Sequence, residues 1–391
     1  MRMRAFAMLM SAVLILLVGT TAFGAAAKDT AMNKSKAPKK EVTTWPDALK
    51  EEGAMAADAF EARVRDAGGA VEFVFGKDRP FAQCHASTIT QAGDGTLIAA
   101  WFGGTEEKNP DVGIWMSCLR DGQWTPPSLA AKVADCAHWN PVLFTDAEKA
   151  VHLFFKVGPE IPGWKTWWMS SGDHGKTWSE PRELVPGDSG GRGPVKNKPI
   201  LLSDGSWLAP ASTEVKLWEA FADRSTDRGV TWERSENFVI DRTLYKGKGA
   251  IQPTFWESAP GKVHALMRAC AGRAWRADSE DYGKTWTPVR DSGLPNNNSG
   301  IDALRLDDGR VLLVFNPIGA NWGARTPLSL GVSRDNGDTW ELAAHFEDDP
   351  PETDFEYSYP AIIRTRDGIA VSYTYKRDCV RCWVIPMTAL P

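Results

Sequence analysis

Ser171-Gly-Asp-His-Gly-Lys-Thr-Trp178 is one of four copies of the motif Ser-x-Asp-x-Gly-x-Thr-Trp, which recurs at Ser225–Trp232, Ser279–Trp286 and Ser333–Trp340. A fifth, worn copy, Ser117-Cys-Leu-Arg-Asp-Gly-Gln-Trp124, keeps the register, so five tryptophans stand 54 residues apart. A fixed period of about 40 to 55 residues with strand-like contents predicts an array of one supersecondary unit, the blade of a β-propeller. Within each copy Gly supplies a positive φ, Asp and Ser or Thr fold back onto backbone N–H groups, and Trp packs the turn onto its blade. The motif is therefore a folding device.

A second repeat gives the number of blades. Six times a short apolar strand runs into a turn and a second apolar strand leaves it: Ser87–Ile98, Pro141–Phe155, Pro199–Leu208, Pro253–Met267, Ile301–Phe315 and Pro360–Tyr373. Asp-Gly or Pro-Gly marks five of these turns and Asp146 the other, the usual punctuation of hairpins. Six hairpins and five boxes predict six blades, with the last in sequence lacking a box. Val71 to Phe75 is expected to supply its outer strand, closing the ring and leaving no open edge. The fold class expected is all-β, a six-bladed propeller over residues 69–391.

The segments outside the ring read differently. Residues 1–27 carry Arg2 and Arg4, the apolar run Ala5–Val18 and small residues through Ala25-Ala26-Ala27, the pattern of a secretory signal peptide. Secreted or periplasmic localisation follows, with no membrane span after cleavage, since no other stretch reaches the roughly 18 apolar residues a span needs. Residues 28–68 are expected to hold a Lys- and Ala-rich leader and then a short helix over Pro46 to about Ala67, from the spacing of Ala48, Leu49, Met55, Ala56, Phe60 and Val64.

The chain has 391 residues, 43% of them hydrophobic, with a formal charge of −5, which becomes −7 once Arg2 and Arg4 are removed. No basic stripe remains to grip nucleic acid. Six cysteines in an exported chain permit disulfides. Cys379-Val-Arg-Cys382 has the spacing of a redox pair or half a zinc site, but no second pair accompanies it. A terminal staple or two buried free thiols is the reading adopted. No metal site and no cofactor is implied.

With its boxes the chain resembles the sialidase-like (Asp-box) β-propellers, in which the boxes lie on the face away from the active site. In such a ring the residues just before the hairpins converge on one mouth with the loops after the second strands. Those openings are polar here: His85-Ala-Ser87, Trp139-Asn140-Pro141, Lys196-Asn197-Lys198, Ile251-Gln252-Pro253, Asn298-Ser299 and Glu356-Tyr357-Ser-Tyr359. Asn140, Lys198, Gln252, Asn298 and Tyr359 are expected to bind substrate, and Trp139, Trp164, Trp218 and Trp322 to stack on sugar faces.

The resemblance further implies that Arg268 and Arg325 hold a substrate carboxylate, that Tyr357 of Tyr-Ser is the nucleophile, and that Asp111 is the acid/base, with Glu106 and Glu107 competing for that role. Two positions depart from the family. His85 stands where its first arginine is expected, and Gln252 where a glutamate activates the tyrosine. A neutral amide cannot take a proton from a phenol of pKa near 10, so Tyr357 needs Glu214 or Glu356 as helper or has another task. The resemblance implies an exported glycoside hydrolase removing a terminal anionic sugar, sialic acid or a related acidic sugar, from a glycan partner. The alternatives are a uronate-directed polysaccharide lyase, with a pair such as His85 and Tyr357 as acid and base, and a carbohydrate-binding propeller without catalysis.

Overall fold

A computed structural model describes residues 48–391 except Glu52 and Ser189. The expected signal peptide and leader lie outside these residues. Six sheets follow one another in sequence, each running from an inner strand outward. Their inner strands begin at Gln83, His138, Ile200, Ala250, Asp302 and Tyr357, and we number the blades 1 to 6 in that order. All six expected hairpins are the inner pair of a blade. The ring closes as expected: Ala70–Phe73 pairs antiparallel with Cys379–Pro386 as the outer strand of blade 6.

The core is distributed rather than central. Six buried apolar clusters each sit at a junction of neighbouring blades, such as Phe102, Trp139 and Phe155 between blades 1 and 2, or Trp256, Leu266 and Leu313 between blades 4 and 5. Strands alternate their side chains between two faces, so each sheet feeds two junctions, which explains why the central strands are buried almost throughout.

The boxes are the turns expected. In each of the four full copies the Ser hydroxyl accepts the N–H of the glycine and donates to Asp, whose carboxylate takes the N–H and hydroxyl of Thr. At Gly175 and Gly283 an added Cβ would press within 2.6 Å of Ile98 or Leu208 of the preceding blade. Glycine is thus demanded both by its φ, +78° and +77°, and by blade-to-blade contact.

One expectation needs correction, and one alternative is decided. The helix is shorter than Pro46–Ala67: it spans Ala57–Asp66 and buries Phe60 and Val64, with Phe60 stacked 5.4 Å from Trp383. Ahead of it Leu49–Lys50 pairs parallel with Trp340–Glu341 of blade 5, and Met55 bridges Ala344. The exposed sheet edge offers unpaired N–H and C=O groups that outbid helix formation, and Gly53 at φ +91° turns the chain between its two contacts with that edge. All six cysteines are free thiols, and of the two readings of Cys379 and Cys382 the pair of buried thiols is the one found. Cys379 and Cys382 share one strand of blade 6, and Cys379 Sγ donates to the Phe75 carbonyl at 2.8 Å.

Candidate active site

At each of six places where the chain reaches the mouth, one residue other than glycine adopts a left-handed backbone: Ala86 (φ +55°), Asn140 (+39°), Lys196 (+64°), Gln252 (+54°), Asn298 (+59°) and Tyr359 (+53°). In blades 1, 2, 4 and 6 this residue is the extra one of a β-bulge, where the inner strand advances three residues while its partner advances two. A bulge breaks the alternation of the strand and re-aims a side chain. Non-glycine residues at positive φ cost free energy and persist where the surroundings hold them.

The bulges surround a cup of about 620 Å3. His85, Asn140, Glu214, Gln252, Arg268, Arg325 and Tyr359 all line it, as do Trp139, Trp164, Trp218 and Trp322. Seven of the eleven site residues expected from sequence are therefore brought together from all six blades.

Arg268 is the best anchored. It is 4% exposed; its Nε donates to Asn298 Oδ1 at 3.0 Å, and one terminal nitrogen donates to Gln252 Oε1 at 3.2 Å and Tyr359 Oη at 2.7 Å. The Trp218, Trp322 and Tyr359 rings stand 5.5 to 5.8 Å from its guanidinium carbon, a cation–π setting. All of these acceptors are neutral, and Arg268 makes no carboxylate pair among the described residues. Asn298 itself does not line the cup; it holds Arg268 from behind.

Arg325 is already engaged: it donates to Glu356 Oε1 at 2.6 Å. Arg377, which sequence reasoning left out of the site, lines the cup and donates to Glu356 Oε2 at 2.9 Å and Glu107 Oε2 at 2.7 Å. Its signal was the Tyr375-Lys-Arg377 run leaving the last hairpin. Burial works against the charge of Glu356, but the Arg325 and Arg377 guanidiniums, with the Ser358 hydroxyl donating to it at 2.7 Å, hold its carboxyl well below the ordinary range. His85 is buried with Nδ1 3.1 Å from Thr374 Oγ1 and its ring 4.3 Å from that of Tyr359. Burial, then the Arg377 charge, pushes its pKa well down, so the imidazole is neutral.

Glu214 lines the cup in surroundings that work against its charged form. Burial raises its pKa against the pull of Arg268, Lys248 and Lys156, the condition of a general acid.

Three expected residues lie elsewhere. Asp111 does not line the cup. It is exposed, and its carboxylate caps the turn through the hydroxyl and the N–H of Thr105, the latter at 2.7 Å. These bonds, the hydroxyl first, hold it below its ordinary pKa, the wrong direction for an acid. Tyr357 is fully buried between blades 5 and 6; its hydroxyl donates to Asp349 Oδ2 at 2.6 Å, and burial with that bond raises its pKa strongly. It cannot serve as nucleophile from there, and Tyr359 is the tyrosine in the cup. Lys198 lies on the axis toward the opposite opening. Its ammonium sits 2.9 Å from both oxygens of Asp302, which also accept Thr254 Oγ1 and the Ile362 N–H. That knot ties blades 4, 5 and 6 to the start of blade 3.

Lys196, unforeseen, performs a similar task nearer the mouth. Its ammonium donates to Asn197 Oδ1, the Ile301 carbonyl and the carbonyl of Pro360, next to Tyr359. Burial brings its pKa down to about 7. Between Lys196 and Tyr359 only a glycine fits: a Cβ on Gly300 would stand 2.7 Å from Lys196 Cε and 3.5 Å from Tyr359 Cγ.

The profile of the BNR repeat-like domain matches residues 95–371, and the chain belongs to that family. No curated protein matches it by sequence. Among solved structures it is similar to a Hadza microbial sialidase, with 17% identity and a TM-score of 0.68 over 82% of this chain and 69% of that one. It is also similar to the NanB sialidase of Streptococcus pneumoniae, with 14% identity and a TM-score of 0.64 over 82% and 71%. A Dyadobacter fermentans protein of unknown function gives 17% identity and a TM-score of 0.63 over 81% and 97%. At such identities the likeness is one of fold, the sialidase-like six-bladed propeller.

Proposed function

We propose that this protein is a glycoside hydrolase that removes a terminal acidic sugar from glycans. The observation that carries the reading is Arg268: a buried guanidinium whose neighbours are Asn298, Gln252 and Tyr359 rather than a carboxylate. A desolvated cation with no carboxylate in hydrogen-bond contact is stabilised by an anion arriving with the ligand. Arg325 and Arg377 already share Glu356, so the cup has room for one anionic group, such as the carboxylate of a sialic or uronic acid.

In this reading protonated Glu214 gives its proton to the leaving oxygen as the glycosidic bond breaks. The Tyr359 oxygen, held by Arg268, faces the positive charge developing at the anomeric carbon. Water then adds there and returns a proton to Glu214. Gln252 keeps Arg268 in place without competing for its charge. The structural likeness to sialidases supports the class of reaction, while the choice of sugar rests on the cup.

The test is release of acidic sugars from a panel of sialosides and uronides. Turnover is expected for at least one, with kcat/KM reduced about 100-fold or more in Arg268→Met. A panel left uncleaved, or an unimpaired variant, overturns the reading. A second reading, β-elimination at a uronate, is favoured by the neutral His85 ring packed 4.3 Å from Tyr359: His85 would take the ring proton and Tyr359 protonate the leaving oxygen. An unsaturated, ultraviolet-absorbing product in place of a hydrated one selects it.

A further inference from the structure

A second cavity of about 350 Å3 opens beside the cup, between the loop at Ile161–Trp164 and the chain at Thr213–Leu217. The two cavities share Ile161, Trp164 and Glu214 in their linings, so they adjoin, with Glu214 at the partition. Val215 and Leu217 form the far wall and are 63% and 43% exposed, an unpartnered aliphatic surface at the rim of a polar site. The floor is backbone. A Cβ on Gly190 would stand 2.8 Å from Gly163 Cα, and one on Gly191 would collide with Thr213, so these segments approach too closely to carry side chains.

Resting on the glycosidase reading above, we infer that this groove receives the leaving group of the substrate, and that the leaving group is an apolar chain rather than a sugar. A general acid must reach the oxygen of the bond it cleaves. With Glu214 at the partition, the scissile bond lies there, the acidic sugar sits in the cup, and whatever was attached through that oxygen extends into the groove. Aliphatic walls without a facing carboxylate–arginine set recognise methylene groups by removing them from water. A neutral sugar, which needs hydrogen-bond partners along its length, finds none on the Val215 and Leu217 side chains; the polar side chains of the groove besides Glu214 are Thr213, Lys216 and Glu219. When the bond breaks, the oxygen leaves with the alkyl group as an alcohol carrying the Glu214 proton.

The decisive substrates are the methyl and octyl glycosides of the acidic sugar that the panel identifies, whose leaving groups differ little in acidity, together with a neutral disaccharide-linked glycoside. Wild-type protein is expected to prefer octyl over methyl by about tenfold or more in kcat/KM. Leu217→Ser and Val215→Ser, both at exposed positions, are expected to remove that preference and leave the methyl rate unchanged. Equal rates on octyl and methyl, a disaccharide-linked substrate outperforming octyl, or a preference surviving in both variants each overturns the inference while the hydrolase reading stands. No turnover of any of them overturns both.

Discussion

The two faces of the propeller repeat in opposite ways. On the box face both sequence and backbone recur: His174-Gly175, Arg228-Gly229, Tyr282-Gly283 and Asn336-Gly337 all adopt consecutive positive φ values inside one motif. At the mouth only the backbone recurs, with six left-handed residues of five different types. Where a turn needs shape alone, one side-chain solution is reused. Where each position must present a different group, the ring keeps its bulge and varies the residue, so the same strain carries an amide from blade 2 and a phenol from blade 6.

That contrast can be broken most sharply at Glu214. If the mouth carries the chemistry, Glu214→Gln lowers kcat by about 10²–10⁴ with little change in unfolding. The raised pKa of this carboxyl also fixes a sign: activity needs the protonated acid, so the rate falls as pH rises through a value above the ordinary glutamate range. A pH–rate profile in which Glu214→Gln keeps the same alkaline limb contradicts the assignment.

Ser225→Ala, on the box face, should do the reverse. It strips the buried Gly229 N–H of its acceptor at 2.7 Å, costing about 1–3 kcal/mol, with kcat unchanged. Thermal unfolding beside an activity assay separates the two. The same face sets an acid limit. The Thr177 and Thr231 hydroxyls, followed by their N–H groups, hold Asp173 and Asp227 below the ordinary carboxylate range. A depressed folded pKa contributes stability above the unfolded value near 4 and loses it as pH falls through the folded one. Unfolding followed from pH 6 down to pH 2 should therefore show a Tm that declines only below about pH 4. The smallest effect belongs to Ala86, which sits at φ +55° with only a methyl group to lose. Ala86→Gly should be neutral to stabilising by about 0.5 kcal/mol, and a clear loss of Tm would mean that the mouth stores no strain there.

The same asymmetry explains what the sequence disclosed. Boxes, hairpin turns and the closing strand after Val71 were legible because repeated residue types mark repeated backbone demands. The choice between Tyr357 and Tyr359 was not. In an unbroken strand residues two apart face the same side, so both tyrosines would reach the cup. The bulge between Ser358 and Ala361 adds a residue, leaving Tyr357 in the junction of blades 5 and 6 and Tyr359 at the mouth. A trace existed: Asn140, Gln252 and Tyr359 each precede a proline, which lacks the ladder N–H and favours bulges. Asp111 offered no such trace, because a turn-capping aspartate and a catalytic one look alike until the Thr105 bonds are seen. Lys198 was misplaced because the chain passes from mouth to axis within two residues of Lys196.

The central claim, that the bulge at blade 6 selects the tyrosine that works, is tested by comparing Tyr359→Phe with Tyr357→Phe on one cleavable acidic glycoside. Tyr359→Phe should lower kcat by about 10²–10³ and leave the unfolding midpoint near that of the parent. Tyr357→Phe should keep kcat and lose stability with its bond to Asp349. Full activity in Tyr359→Phe with loss of turnover in Tyr357→Phe would contradict the account.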